Sequence, residues 1–310
     1  MTRSILNRCT VGLCAAGALI AGCSAPQASM PPNSMPNAGA SAKAKAGALL
    51  YVTSPYYGIN VYSYPQGALV DSFNDPGVPS AMCTDKSGNI YVAESYGQVV
   101  SEYAHGGTSP IATLKDPHTP FSCSIDEAAK TLAVGNETGS VAVFALGSTS
   151  KGPTLYTYTG VLGFFFCTYD SGGDLFAAGQ TGSGGQLFEL RQGQSTLEPV
   201  SMPFRVDPFA PIQWDGTYLA VQALPKDRSF TYDRVDVRNF RGKIKGRVTL
   251  KAVSGGGSEF WFQGSSVIAA DSRGSDVAWW NYPAGGKSVQ TIPNAGTNIV
   301  GVVVSVASKH

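Results

Sequence analysis

Four aspartates recur along the chain at nearly even intervals: Asp85, Asp126, Asp170 and Asp215, separated by 41, 44 and 45 residues. Carboxylates so placed could act as general acids or as metal ligands. Each one, however, ends an apolar stretch and precedes a tight turn, in PSAMCTD, PFSCSID, FFFCTYD and APIQWD. An Asp there accepts hydrogen bonds from backbone N–H groups two residues on, so the expected role is turn capping. Cys83, Cys123 and Cys167 lie in three of the same stretches. A disulfide with one free thiol and a soft-metal site are both open to them. The preferred reading is small apolar side chains filling tight space, with Cα atoms beyond the ~7 Å reach of a disulfide. The three histidines are His105, His118 and His310, none paired at ligand spacing, and no Cys-x-x-Cys occurs. No cofactor and no metal site is expected from these motifs. A serine-hydrolase elbow, a phosphate loop and a dinucleotide fingerprint are also missing.

The elements that carry these residues repeat. After each Asp comes a turn and a short apolar strand: NIYVAES, KTLAVGN, GDLFAAG and GTYLAVQ. A degraded fifth copy, EFWFQ, precedes SSVIAAD, and a sixth such strand, ALLYVTS, opens the domain at Ala48. A second anchor keeps the same period: Tyr64 with Gly67, Tyr103 with Gly106, Phe144 with Gly147, Leu190 with Gly193, and Tyr282 with Gly285. Phe240 with Gly242 is one residue shorter. Each unit then holds four strands: A ending in Asp, B apolar, C ending near Gly, and an outer D. Residues 47–310 divide into six units of 44. Four strands per 40–50 residues indicate an all-β, six-bladed β-propeller. The first unit lacks its A strand, and the chain ends in TNIVGVVVSVA. That run is expected to supply the missing strand and to close the ring, which removes two sheet edges.

Composition agrees. The chain has 310 residues, 43% hydrophobic and 14% charged, with 37 glycines. This excludes disorder and a helical bundle. A formal net charge of +1 speaks against a nucleic-acid partner.

Asp85-Lys86-Ser87-Gly88-Asn89-Ile90-Tyr91-Val92-Ala93 resembles the repeat of the NHL and streptogramin-lyase-like six-bladed propellers, and the likeness covers the whole repeat region. Members of that group include enzymes, binding modules and scaffolds, so the resemblance implies architecture more than activity. Gluconolactonase-type propellers are similar in architecture, and that likeness implies that calcium, held by oxygens from several blades, is compatible with the fold. Streptogramin lyases place a His and a Glu on one face. His118 is the one rim histidine here, and neither residue matches that family's motif.

Propeller sites form where B–C and D–A loops converge over the channel mouth. The B–C loops offer Tyr56, Tyr57, Glu94, Tyr96, Asn136, Glu137, Gln180, Asp227, Arg228 and Arg273; the D–A loops offer Asp116, His118, Arg205 and Asp207. This aromatic, mixed-charge rim suits a polar ligand or a protein loop. The expected function is a non-catalytic ligand- or protein-binding or scaffold module. The alternative is a propeller hydrolase or lyase, with or without a metal, using Glu94, His118 and Glu137. A basic segment stands apart. Nine Lys and Arg against three Asp between Lys226 and Lys251 make a local charge of +6. Lys243, Lys245 and Arg247 alternate with other residues and are expected on one strand face, either as edge protection or as a dock for an anionic envelope polymer, lipid headgroups or an acidic partner.

The N-terminus reads as a secretory leader. Arg3 and Arg8 precede an apolar run ending in Leu19-Ile20-Ala21-Gly22-Cys23, which resembles a bacterial lipobox. The resemblance implies removal of residues 1–22, lipidation of Cys23, and an envelope membrane as the location. Ser24 is compatible with the outer membrane. Residues 23–46, rich in Pro, Ala and Ser, read as a flexible linker.

Overall fold

The computed structural model describes residues 47–147, 151–223, 230–251, 258–271 and 275–307. The leader, Cys23, the linker to residue 46, Asp227, Arg228 and Arg273 lie outside the described residues. Among those described there are 24 strands and no helix.

Blade 1 holds β1 (Leu49–Ser54), β2 (Gly58–Ser63) and β3 (Leu69–Phe73). Blade 2 holds β4 (Pro79–Thr84), β5 (Ile90–Glu94), β6 (Val99–Tyr103) and β7 (Pro110–Lys115). Blade 3 is β8 (Pro120–Asp126), β9 (Thr131–Asn136), β10 (Ser140–Ala145) and β11 (Thr154–Thr157). Blade 4 is β12 (Val161–Tyr169), β13 (Leu175–Thr181), β14 (Gly184–Leu190) and β15 (Glu198–Val200). Blade 5 is β16 (Ile212–Trp214), β17 (Leu219–Ala223), β18 (Phe230–Arg238) and β19 (Arg241–Leu250). Blade 6 is β20 (Phe260–Gln263), β21 (Ser266–Asp271), β22 (Asp276–Asn281) and β23 (Gln290–Ile292). The last strand, β24 (Gly301–Ser305), completes blade 1, with Leu49 opposite Ser305 and Thr53 opposite Gly301. The six four-stranded antiparallel sheets make a six-bladed β-propeller, closed by the C-terminal strand.

The apolar residues fall into six clusters, one for each pair of neighbouring blades. Leu49 and Tyr51 pack with Met82, Ile90 and Val92 of blade 2. Leu50 and Val52, on the opposite face of the same strand, pack with Ile268, Val277 and Trp279 of blade 6. An inner strand therefore buries both faces. That is why strands such as LLYV and IYVA run continuously apolar rather than alternating.

The repeated anchors have local causes. Asp126, Asp170 and Asp215 each accept an N–H two residues on, from Ala128 (2.9 Å), Gly172 (2.8 Å) and Thr217 (2.9 Å). Asp85 accepts from Asn89, four residues on (2.8 Å). Gly67, Gly106, Gly147, Gly193 and Gly285 all have φ between 67° and 81°, the left-handed region that a side chain resists. Blade 5 departs from this. Its positive φ values fall on Asn239 (50°) and Phe240 (57°) rather than on Gly242.

The cysteine expectation is corrected. Cys83 and Cys123 form a disulfide, with Cα atoms 5.6 Å apart. Inner strands of adjacent blades converge near the axis instead of diverging beyond disulfide reach, and both residues sit in the core between blades 2 and 3. Cys167 is free and buried, and burial pushes its thiol up to about 12. Replacing Cys83 and Cys123 together by Ala is expected to cost about 2–4 kcal/mol of unfolding free energy. A thermal melt without reductant reads this as a lower Tm, and an unchanged Tm would mean that the bridge contributes nothing.

Candidate functional site

Two faces result from this topology. The B–C and D–A connections meet on one, here termed the rim; the A–B and C–D turns meet on the other. Between them runs a cavity of 180 Å3 lined by Cys83, Ser124, Cys167, Gln213 and Trp261, which come from the inner strands of five blades.

Three D–A connections share an Asp-Pro-x turn: Asp75-Pro76-Gly77, Asp116-Pro117-His118 and Asp207-Pro208-Phe209. In each, the Asp accepts the N–H two residues on, at 2.9, 2.9 and 2.8 Å. The sequence reading selected Asp116 and Asp207 and missed Asp75. The Asp-Pro dipeptide, present three times at the same place in the repeat, was the signal that could have found it.

In blade 2 the Asp75 turn meets Glu94, the last residue of β5. Tyr103 donates its hydroxyl to Asp75 Oδ2 (3.0 Å), while Gly77 N–H holds Oδ1. Glu94 is buried, beside Ser101 and Asp75. Burial first, and then the neighbouring Asp75 carboxylate, raises its carboxyl to about 7 against the stabilising hydroxyl of Ser101. A Cβ at Gly77 would collide with the Glu94 carboxyl, so only glycine lets the two loops close together.

Blade 3 repeats the arrangement with an amide. Asn136, the last residue of β9, is fully buried and donates Nδ2 to Asp116 Oδ1 (3.3 Å) and to Ser140 Oγ (3.2 Å). The His118 ring bonds Ser140 through Nδ1. Burial raises Asp116 against the His118 N–H and the Asn136 amide. In blade 1, Ser54 at the end of β1 accepts the Thr297 N–H (3.2 Å) from the loop before β24. The last residue of strand B therefore latches the incoming D–A connection in three successive blades.

Several residues selected for a binding or catalytic role are thus used internally. Glu94 and Asn136 are buried, and His118 is half-buried with its ring tied to Ser140. Glu137 and Arg205 are exposed. Among the described residues, no three His, Cys, Asp or Glu side chains come together as a metal-holding group. Beside Glu137 and Arg205 the rim presents aromatic side chains to solvent: Tyr56 is 85% exposed, Tyr57 64% and Tyr96 84%, with Leu162 and Phe209 on the same face. Of the other exposed large apolar residues among those described, Val289 and Val306 lie in connections of the opposite face, and Leu69, Ile111, Leu155 and Ile244 lie on outer strands.

The basic strand departs from simple alternation. Register shifts at Arg234/Val235, where Gly246 and Ile244 are the partners, and Lys245 is the extra residue of a bulge. Lys245 reaches Asp236 (3.1 Å), and Arg247 grips the fully buried Asp233 carboxylate with Nε (2.6 Å) and Nη2 (2.8 Å). Lys243 remains exposed. Lys245 and Arg247 are exposed as well, but the bulge at Lys245 breaks the strict alternation expected of the three, and two of them are paired with β18 carboxylates.

No protein-family model matches the chain, and no curated protein matches its sequence. Solved structures do. A chain of the nidogen/laminin complex superposes with a TM-score of 0.68 at 11% identity, covering 85% of this chain and 100% of its own. A protein of unknown function from Bacteroides caccae gives 0.61 at 12% identity, covering 84% and 99%. Hydrazine synthase from Kuenenia stuttgartiensis gives 0.54 at 14%, covering 76% and 74%. At these identities the likeness establishes the propeller fold.

The Glu94 latch predicts a pH dependence. A carboxyl whose pKa is raised in the folded state binds a proton there that the unfolded chain has lost. Its contribution is fully present below the unfolded value and disappears as pH rises through about 7. Wild type should lose Tm between pH 5 and about 8, and Glu94→Gln should lose less over that interval and melt higher at its alkaline end. Parallel pH profiles for the two proteins would contradict the latch.

Proposed function

We propose that this chain is an envelope-anchored, non-catalytic propeller of the NHL-like group that binds a protein loop on its aromatic rim. One observation carries the reading: the rim exposes Tyr56, Tyr57 and Tyr96, while Glu94, Asp75, Asp116 and Asn136 are spent on internal hydrogen bonds. Tyrosine supplies large contact area at small entropic cost, and its hydroxyl remains able to bond a partner's backbone. A propeller-fold relative occurs in the complex named for nidogen and laminin, which supports protein binding by analogy of fold.

The hydrolase or lyase alternative rests on Glu94. A carboxyl raised to about 7 by burial beside a second carboxyl has the proton affinity of a general acid. Against it, Glu94 is buried and its neighbour Asp75 already accepts from Tyr103 and Gly77.

The anchor and the rim are separately testable. Cys23→Ala should abolish fatty-acid labelling and release the protein from the membrane fraction; retained labelling would contradict the lipobox. Tyr56→Ser, Tyr57→Ser and Tyr96→Ser together should lower the recovery of a specific envelope protein in crosslinked pull-downs by about tenfold or more, as loss of aromatic hot spots does. These side chains are exposed, so Tm should hold. Recovery equal to wild type would refute the rim as the binding face.

A further inference from the structure

On the face opposite the rim, a cleft of 590 Å3 opens between blades 4 and 5. That volume lies within the range of small-molecule sites, about 300–1,000 Å3. One wall is Phe240, from the β18–β19 turn. The Arg191 guanidinium lies 4.0 Å from the centre of its ring, and Arg191 Nε is bonded to Glu189 (2.9 Å). Glu189 is buried, and its second carboxyl oxygen has no partner among the described residues.

Phe240 holds a position that its backbone does not favour. Both central residues of this two-residue turn have positive φ, and glycine is the residue that suits the second of them. The equivalent turns of the other five blades place Gly67, Gly106, Gly147, Gly193 and Gly285 in that region. Strain kept at a cleft points to a use for the side chain. The facing turn is also prepared. Asp174 accepts the Gln192 N–H (2.7 Å), and the Gln192 amide lies across Gly173, where a Cβ would come within 2.7 Å of Nε2. Gln194 and Glu198 complete the wall, both exposed.

The chemistry is that of an aromatic surface ringed by planar amides and carboxylates. Arg191 covers one face of the ring, and the part of it that lines the cleft packs against C–H groups, while the amides and carboxylates offer donors and acceptors to hydroxyls. Asp174 and Glu198 disfavour a polyanion, since Arg191 is already paired with Glu189. We propose that this cleft binds a neutral saccharide, independently of any partner on the rim.

The test is calorimetry on the full chain with cellohexaose, maltohexaose and N-acetylchitohexaose, with polygalacturonate as the anionic control. At least one neutral oligosaccharide should bind with a Kd of about 1 mM or tighter, and polygalacturonate should bind more weakly. Phe240→Gly installs the residue that the turn prefers, so binding should weaken by about tenfold or more while Tm is maintained. Gln192→Ala with Gln194→Ala removes two exposed amides and leaves the backbone bond from Gln192 to Asp174 in place, so it should weaken binding with Tm maintained. The rim tyrosine variant should bind saccharide as wild type does. Failure of all three oligosaccharides to bind wild type, or equal binding by the Gln192/Gln194 variant, would overturn the proposal.

Discussion

The B strand of every blade in this protein buries both of its faces, and that constraint governs the rest of the molecule. Leu49 and Tyr51 need blade 2, while Leu50 and Val52 need blade 6. A blade standing alone would expose two apolar surfaces, so stability comes only with neighbours on either side, and the series must close on itself. Closure falls to β24, whose pairing with β1 joins the two ends of the chain within one sheet. Glu259 reinforces the closure from blade 6. Its buried carboxylate accepts N–H groups from Met82 in blade 2 (3.0 Å) and Val302 in β24 (3.1 Å). Burial raises that carboxyl well above its usual range, against those two donors.

Close packing about an axis leaves little freedom for the connections, and this shapes the rim. The D–A loops must cross from the outside of one blade to the inside of the next. Asp-Pro-x turns set their course, and strand-B termini fasten them through Ser54, Glu94 and Asn136. Asp75, Glu94, Asp116 and Asn136 at the channel mouth are consumed in building it, while Glu137 and Arg205 stay exposed. The side chains left for recognition are those that the latches do not need: exposed tyrosines on the rim and, on the far face, the Phe240 cleft.

The architecture was legible because its causes are local and repeated. Turn-capping Asp residues and left-handed glycines recur at one period, and continuous apolar strands sit between them. The C-terminal strand could be assigned because one unit lacked a partner. Features that depend on distances between blades were not legible. The Cys83–Cys123 bridge requires knowing how closely inner strands approach. The burial of Glu94 and Asn136 requires knowing which D–A loop crosses over them. The aligned row expected of Lys243, Lys245 and Arg247 failed because a bulge, unmarked in the alternation of charged and uncharged residues, absorbs Lys245.

Ring closure is tested most directly by native-state amide hydrogen exchange on the intact chain. If β24 is integral to the ring, the amides of Val302, Val303 and Val304 should exchange only with global unfolding, at the same free energy as those of Leu50, Tyr51 and Val52. Fast exchange throughout β24, with blades 2 to 6 still protected, would show that the C-terminal strand frays independently and that the propeller is stable without it.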